Sequence, residues 1–171
     1  DHITHAMVIA GVNAHQMLGE MAFKETGRGV AEDKAIKNLF ATEEIWNNIR
    51  NDKTVGVIEE NSEEDLIKVA EPLGVLAGIT PVTNPTSTTL FKSIISMKTR
   101  NAIIFSLHPQ AIKSSIKAAQ IMRDAAIAAG APKDAIQWIT EPSREATNDL
   151  IQNPGVACTL ATGGPGLVKA A

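Results

Sequence analysis

Apolar residues recur every three to four positions at Ile3, Met7, Ala10, Ala14, Met17 and Met21, the period of an amphipathic helix. Gly27 and Gly29 interrupt it. A second helical stretch is predicted from about Ala31 to Asn48, with Ile36, Leu39, Phe40 and Ile45 as its apolar stripe. The other faces of both helices carry surface-type residues, so the two should pack on something rather than form a core alone. Lys53 to Ile58 reads as a strand, Glu59 to Asp65 as an acidic turn, and Leu66 to Ala70 as the returning arm of a hairpin.

From Leu73 the pattern changes. Leu73 to Thr80 is a nearly continuous apolar run, as expected of a strand buried on both faces. Pro81 to Asn84 is a turn, and Pro85 suits the first turn of the next helix, where its missing N–H is not needed. That helix should reach about Met97. Ala102 to Phe105 is a second buried strand. Ala111 to Ala129 is a helix with Ile112, Ile116, Ala119, Met122 and Ala126 on one face, stopped by Gly130 and Pro132. Ala135 to Ile139 is a third strand, Ser143 can cap a helix reaching Ile151, and Val156 to Ala161 is a fourth strand. Gly163-Gly164-Pro165-Gly166 leads into a last helix. Strands alternating with helices over short connections predict a parallel sheet covered by helices on both faces. Ligands of such sheets bind at the carboxyl ends of the strands. The loops that matter are therefore Pro81–Asn84, Ser106–Pro109, Thr140–Ser143 and Thr162–Gly166.

Composition narrows the class. Apolar residues make up 44% of 171 and charged residues 20%, enough for a real core and unlike a disordered chain. Sixteen basic residues against nineteen acidic ones give a net charge of −3, which argues against nucleic acid as a partner. No stretch approaches the roughly 18 apolar residues that cross a bilayer, so no membrane is expected, and Asp1 to His5 carry no basic run of a signal peptide. The single cysteine, Cys158, cannot form an internal disulfide, which fits a reducing cytoplasm. A first residue other than methionine and a final helix with nowhere to end suggest a fragment.

The dinucleotide fingerprint G-x-G-x-x-G and the P-loop are both absent, so a nucleotide must be held by another device. Ile79-Thr-Pro-Val-Thr-Asn-Pro-Thr-Ser-Thr88 places polar groups and two prolines at the end of a buried strand. Asn84 could present an oriented amide to an oxyanion, or merely cap the helix. Ala161-Thr-Gly-Gly-Pro-Gly166 could offer free N–H groups to a pyrophosphate, or be a tight turn that needs glycine for its geometry. Ser106-Leu-His-Pro109 could touch a ribose or adenine, or be a loop held extended by Pro109. Cys158 lies within an apolar strand and reads as a structural, inert thiol. His2, His5 and His15 lack companion ligands and read as solvated, with no metal site. Lys92, Lys98 and Arg100 read as a basic cluster around a helix C-terminus, where the dipole favours cations.

Several of these segments, in order, carry a resemblance that covers essentially the whole chain. Glu25-Thr-Gly-Arg-Gly29, Glu32-Asp-Lys34, Ala70-Glu-Pro-Leu-Gly74, Thr80 to Thr88, Phe91-Lys-Ser93, Lys98 to Ser106, Ala126 to Lys133 and Leu160 to Gly166 together resemble the acylating half of bifunctional aldehyde–alcohol dehydrogenases. The resemblance implies an aldehyde-dehydrogenase-type α/β fold: residues 1–52 a helical segment, 53–72 a hairpin or linker, and 73–171 an incomplete Rossmann-like NAD-binding region. It implies that the parent interconverts acetyl-CoA and acetaldehyde with NAD as cofactor. A cysteine thiolate would carry the acyl group; it would lie downstream of Ala171 and would not be Cys158. Asn84 matches the family's oxyanion-hole asparagine. Ile79, Thr80, Pro81, Val82 and Thr83 would line the nicotinamide side, Ser106, His108 and Pro109 the adenosine side, and Thr162, Gly163 and Gly164 the pyrophosphate. The family's Ser-Pro-His-Pro-Arg loop is Ser106-Leu-His-Pro-Gln110 here, so Leu107 is expected to loosen it and Gln110 removes a cation. Partners would be a coenzyme A thioester and a short-chain aldehyde, in a cytoplasmic homo-oligomer or filament, with an iron-dependent alcohol dehydrogenase domain following in bifunctional members. A stand-alone acetaldehyde or propanal dehydrogenase of the microcompartment kind, and a non-catalytic assembly piece, are the competing readings.

Overall fold

A computed structural model describes residues 1–170. The chain opens with α1 (His2–Thr26), stopped by Gly27 in a left-handed conformation, and α2 (Ala31–Leu39). A π-helical turn (Phe40–Glu44) continues α2 into α3 (Ile45–Ile49). A hairpin of β1 (Gly56–Asn61) and β2 (Leu66–Ala70) follows. The rest alternates: β3 (Val75–Ile79), α4 (Pro85–Lys98), β4 (Ala102–Ser106), a 3-10 turn (Pro109–Ala111), α5 (Ile112–Ala128), β5 (Ile136–Trp138), α6 (Arg144–Gln152), β6 (Val156–Ala161) and α7 (Pro165–Ala170).

The alternating half behaves as its pattern predicts. β3, β4, β5 and β6 form a wholly parallel sheet in the order β5-β4-β3-β6. Pro85 occupies the first turn of α4. Gly130, at φ 97°, follows the end of α5, and Ser143 caps α6 by accepting from the Ala146 amide at 3.0 Å. The chain leaves β3 toward β4 and β5, then returns to lay β6 on the other side of β3. Crossovers between parallel strands are right-handed, so this reversal puts α6 on the face opposite α4 and α5. It also opens a crevice at the carboxyl ends of β3 and β6, the switch point at which such sheets bind ligands.

The core lies on the α4–α5 face. Leu76, Ile103, Phe105 and Ile136 from the sheet meet Leu90 and Ile94 of α4, Ala119 and Met122 of α5, and Met7 and Leu18 of α1. The N-terminal helices thus share one apolar core with the sheet. Each large apolar side chain buried there contributes about 1.5–3 kcal/mol.

Four expectations need correction. In α2 and the π-helical turn the predicted stripe is not the buried face: Ile36 is 64% and Phe40 59% exposed and Leu39 and Ile45 are only half-buried, while Lys34, Asn38 and Thr42 are buried. That buried face meets backbone and the polar Thr83–Thr86 junction, which demand hydrogen-bonding groups. The first hairpin strand lies three residues later than the predicted Lys53 start. Asn61 Oδ1 accepts from the amides of Glu63 and Glu64 at 3.0 and 3.3 Å and so sets the turn. Glu59 can then sit on the strand and pair with Lys68 at 2.7 Å, because the hairpin is largely exposed and needs no apolar alternation. The buried run starts at Val75, with Leu73 exposed. Lys98 lies in the last turn of α4 as expected, but Lys92 is buried further back in the helix, bonded to the carbonyls of Ile79 and Leu160, and is no part of a cluster at the helix C-terminus. Of the histidines, His2 and His5 are exposed, with His5 stacked on Trp46 at 5.5 Å, and His15 is half-buried and bonds the Val12 carbonyl at 2.5 Å.

Candidate functional site

The carboxyl ends of β3, β4 and β6 and the start of α6 surround a cleft of about 1280 Å3. Ile79, Thr80, Pro81, Val82, Thr83 and Asn84 form its β3 side. Ser106, His108 and Pro109 form its β4 side, and Thr162, Gly163 and Gly164 its β6 side. Every position that the sequence reading assigned to the cofactor site therefore borders one space. Sequence reasoning missed Arg144, Thr147 and Asn148, which reach the cleft from α6. Only the position of the Thr140–Ser143 loop hinted that this helix would open onto it.

Asn84 stands at the N-cap position of α4, yet its side chain makes no capping hydrogen bond. Its φ of −135° and ψ of 61° lie away from the extended geometry that usual caps adopt. Its Oδ1 accepts instead from Lys37 Nζ at 3.2 Å. One residue earlier, the Thr83 carbonyl accepts from Lys34 Nζ at 2.8 Å. Burial, then the charges of Lys37 and Arg28, push the Lys34 ammonium below its ordinary range.

Thr80 is buried at the cleft, and its Oγ1 has no partner among the described residues. Beneath it Lys92, 3% exposed, donates to the carbonyls of Ile79 and Leu160. One ammonium thus ties together the carboxyl ends of β3 and β6. Burial pushes its pKa down to about 8.

On the β4 side, Thr147 Oγ1 donates to the Ser143 carbonyl at 2.7 Å. Ser106 Oγ lies 2.7 Å from the same Thr147 oxygen and must therefore be the donor of that pair. The Ser106 hydroxyl is committed to anchoring α6. His108 accepts from the Gln110 amide through Nδ1 at 3.2 Å. Burial, then the nearby Arg28 charge, lowers its pKa, so near neutral pH the ring is uncharged and carries its proton on Nε2. Leu107 is buried in the core, so its side chain anchors a loop it was expected to loosen. Glu25 brings Arg28 to this side: its carboxylate accepts from the Lys113 and Ser114 amides at the start of α5, both at 2.8 Å.

On the β6 side, a Cβ added at Gly164 would meet nothing within 4 Å, and the residue is not in the left-handed region. Neither packing among the described residues nor backbone geometry requires glycine there. Cys158 is half-buried rather than fully buried. It pairs in register with Leu76, so its side chain joins the core on the sheet face of α4 and α5. Its strand neighbour Thr159 points to the other face.

The sequence model of the aldehyde dehydrogenase family matches residues 13–170. The chain belongs to the aldehyde dehydrogenase family. It is 61% identical, over 95% of its length, to an aldehyde-alcohol dehydrogenase of Streptococcus pneumoniae, of which it spans 18%. It superposes on an acetylating aldehyde dehydrogenase of Geobacillus thermoglucosidasius with a TM-score of 0.98 and 50% identity, covering all of this chain and 38% of that one. A propionaldehyde dehydrogenase of Rhodopseudomonas palustris, solved with bound CoA and an acylated cysteine, matches with a TM-score of 0.78 and 32% identity over 99% of this chain and 40% of that one. The parallel four-stranded sheet flanked by helices is thus the aldehyde dehydrogenase fold expected from the sequence. No helix among the described residues is long and apolar enough to cross a membrane.

Proposed function

We propose that this chain is the NAD-binding portion of an acylating aldehyde dehydrogenase that interconverts acetyl-CoA plus NADH and acetaldehyde plus coenzyme A plus NAD. The convergence of the β3, β4 and β6 loops on one cleft at the switch point carries this reading. The residues present fit a dinucleotide. The cleft exceeds the roughly 300–1,000 Å3 of ordinary ligand pockets, Gly164 leaves open space beside it, and Thr80 Oγ1 has no protein partner among the described residues. When bound, the nicotinamide supplies or accepts the hydride.

The chain's own residues then divide the work. Ile79 to Thr83 line the nicotinamide side. The neutral His108 ring and Pro109 face the adenosine, with Ser106 holding α6 beside them. Thr162, Gly163 and Gly164 lie against the pyrophosphate. Asn84, free of any capping duty, donates from Nδ2 to the oxygen that gains negative charge as the acyl group is transferred. The acyl-carrying cysteine comes from outside residues 1–171, since Cys158 sits on the core face of the sheet.

In the same reading, residues 73–171 bind the cofactor, residues 1–52 buttress them, and the 53–72 hairpin meets a second copy of the chain. Val57, Ile58, Leu66, Ile67 and Val69 are exposed on that hairpin, and an isolated two-stranded hairpin is marginally stable by itself. The enzyme would be a cytoplasmic, fermentative homo-oligomer or filament with a coenzyme A thioester and a short-chain aldehyde as partners.

NADH titration of the purified protein, followed by nicotinamide fluorescence, tests the cofactor; a folded protein with no saturable binding refutes the reading. Asn84→Ala in the active protein that carries this chain tests the donor. Losing an oxyanion donor costs about a hundredfold to a thousandfold in turnover, roughly 3–4 kcal/mol. A lost cap would instead cost about 1 kcal/mol of stability. Turnover should fall while NADH affinity and Tm hold.

A further inference from the structure

We infer that Lys37 is a positioning residue that orients and polarises the Asn84 amide; the inference rests on the reading of Asn84 as an oxyanion donor. An ammonium can only donate hydrogen bonds. The atom of Asn84 that faces Lys37 Nζ at 3.2 Å is therefore the amide oxygen. That fixes which branch of the amide is which. Nδ2, with both its protons, lies on the other branch, and no described residue accepts from it. A cation bound to an amide oxygen draws density from the nitrogen and makes its N–H groups better donors, as expected when hydrogen bonds act in series.

The rest of α2 supports the same junction. Lys34, Lys37 and Asn38 share one helical face by their spacing. Lys34 holds the Thr83 carbonyl at 2.8 Å. Asn38, fully buried, accepts from Thr86 Oγ1 at 2.8 Å and donates to the His15 carbonyl of α1 at 3.0 Å. The chain on both sides of Asn84 is thus held by neighbours of Lys37, at the Thr83 carbonyl and the Thr86 hydroxyl, and the amide itself by Lys37. Lys37 forms no ion pair among the described residues that would compete for its charge. The first helical segment therefore does more than cover the sheet: it presents a cation to the side chain that faces the reacting oxygen.

The experiment is a double-mutant cycle in the active protein that carries this chain, using Lys37→Met, Lys37→Arg, Asn84→Ala and Lys37→Met with Asn84→Ala. Lys37→Met should lower kcat about tenfold, as loss of a charge-assisted hydrogen bond does, with KM for the thioester, NADH affinity and Tm near wild type. Lys37→Arg, which restores a cationic donor, should recover most of that loss. With Asn84 already alanine, Lys37→Met should cost nothing further. An equal loss in both backgrounds means Lys37 acts on something other than Asn84 and overturns the inference. Unchanged kcat in Lys37→Met, while Asn84→Ala is impaired, overturns the inference and leaves the Asn84 reading standing. Unchanged kcat in Asn84→Ala overturns both.

Discussion

Gly19 lies in the middle of α1, and replacing it with alanine sets two effects of opposite sign against each other. Helix propensity favours the change: alanine is about 1 kcal/mol better than glycine in a helix interior. Packing opposes it. A Cβ at Gly19 would stand 2.7 Å from the Ala35 amide nitrogen, 2.9 Å from the Ala31 carbonyl oxygen and 3.0 Å from the Ala35 Cα. All three are backbone atoms of α2, so no side chain can swing away. Ordinary contact begins at 3.4 Å, so the two helices must separate by about 0.7 Å, the difference between 3.4 and 2.7. Overpacking costs typically about 1–3 kcal/mol, and a backbone-on-backbone clash belongs at the upper end. Subtracting the propensity gain leaves a net loss of about 2 kcal/mol, or roughly 4–8 °C in Tm for a domain of this size. The displaced helix is the one that carries Lys34, Lys37 and Asn38, so turnover should fall along with stability. Thermal unfolding of the wild-type protein and Gly19→Ala, followed by circular dichroism, decides the matter. A Tm equal to or above wild type would show that propensity wins and that α1 and α2 can part without cost.

Gly164→Val should leave the fold intact, because a Cβ there meets nothing within 4 Å, yet raise the NADH dissociation constant by about tenfold or more by blocking backbone approach to the phosphates; an unchanged constant reduces that turn to a structural element. Cys158→Ala should cost about 1 kcal/mol of stability, as truncation of a half-buried side chain does, with turnover nearly intact; a loss of several orders of magnitude in a folded variant would put the nucleophile here after all. Lys92 gives a pH signature. Its folded pKa is depressed to about 8 from 10.5, so between those values the unfolded chain holds a proton that the folded chain has lost. Stability then rises with pH across that window, and the burial penalty on the ammonium is fully present below about pH 8. Urea midpoints of wild type and Lys92→Met should show wild type gaining on the variant from pH 8 to 10.5, by up to about 3 kcal/mol; a pH-independent difference would mean the lysine keeps its ordinary pKa.

The alternating half of the molecule was legible because its rules are local. Pro85, Gly130 and Ser143 mark helix ends by backbone geometry and capping alone. The apolar runs at Val75–Ile79 and Ala102–Ser106 are too short for ordinary helices and read as strands covered on both faces. The loops after them follow, and with them every candidate residue on the β3, β4 and β6 sides of the cleft. Tertiary structure decided what depends on a partner distant in sequence. β6 lies beside β3, not β5, which makes the switch point; no local pattern encodes strand order. Ile36 and Phe40 look like a buried stripe, yet the buried face of α2 and the π-helical turn after it is Lys34, Asn38 and Thr42. Its neighbours are the backbone at Gly19 and the Thr83–Thr86 junction, which reward close approach and hydrogen bonds over apolar area. Asn84 shows the division most sharply. Its position before Pro85 allows either a cap or an oriented donor, and a lysine 47 residues away holds its amide oxygen while no capping bond forms. Periodicity reports which face of an element is apolar; only the fold reveals what that element leans against.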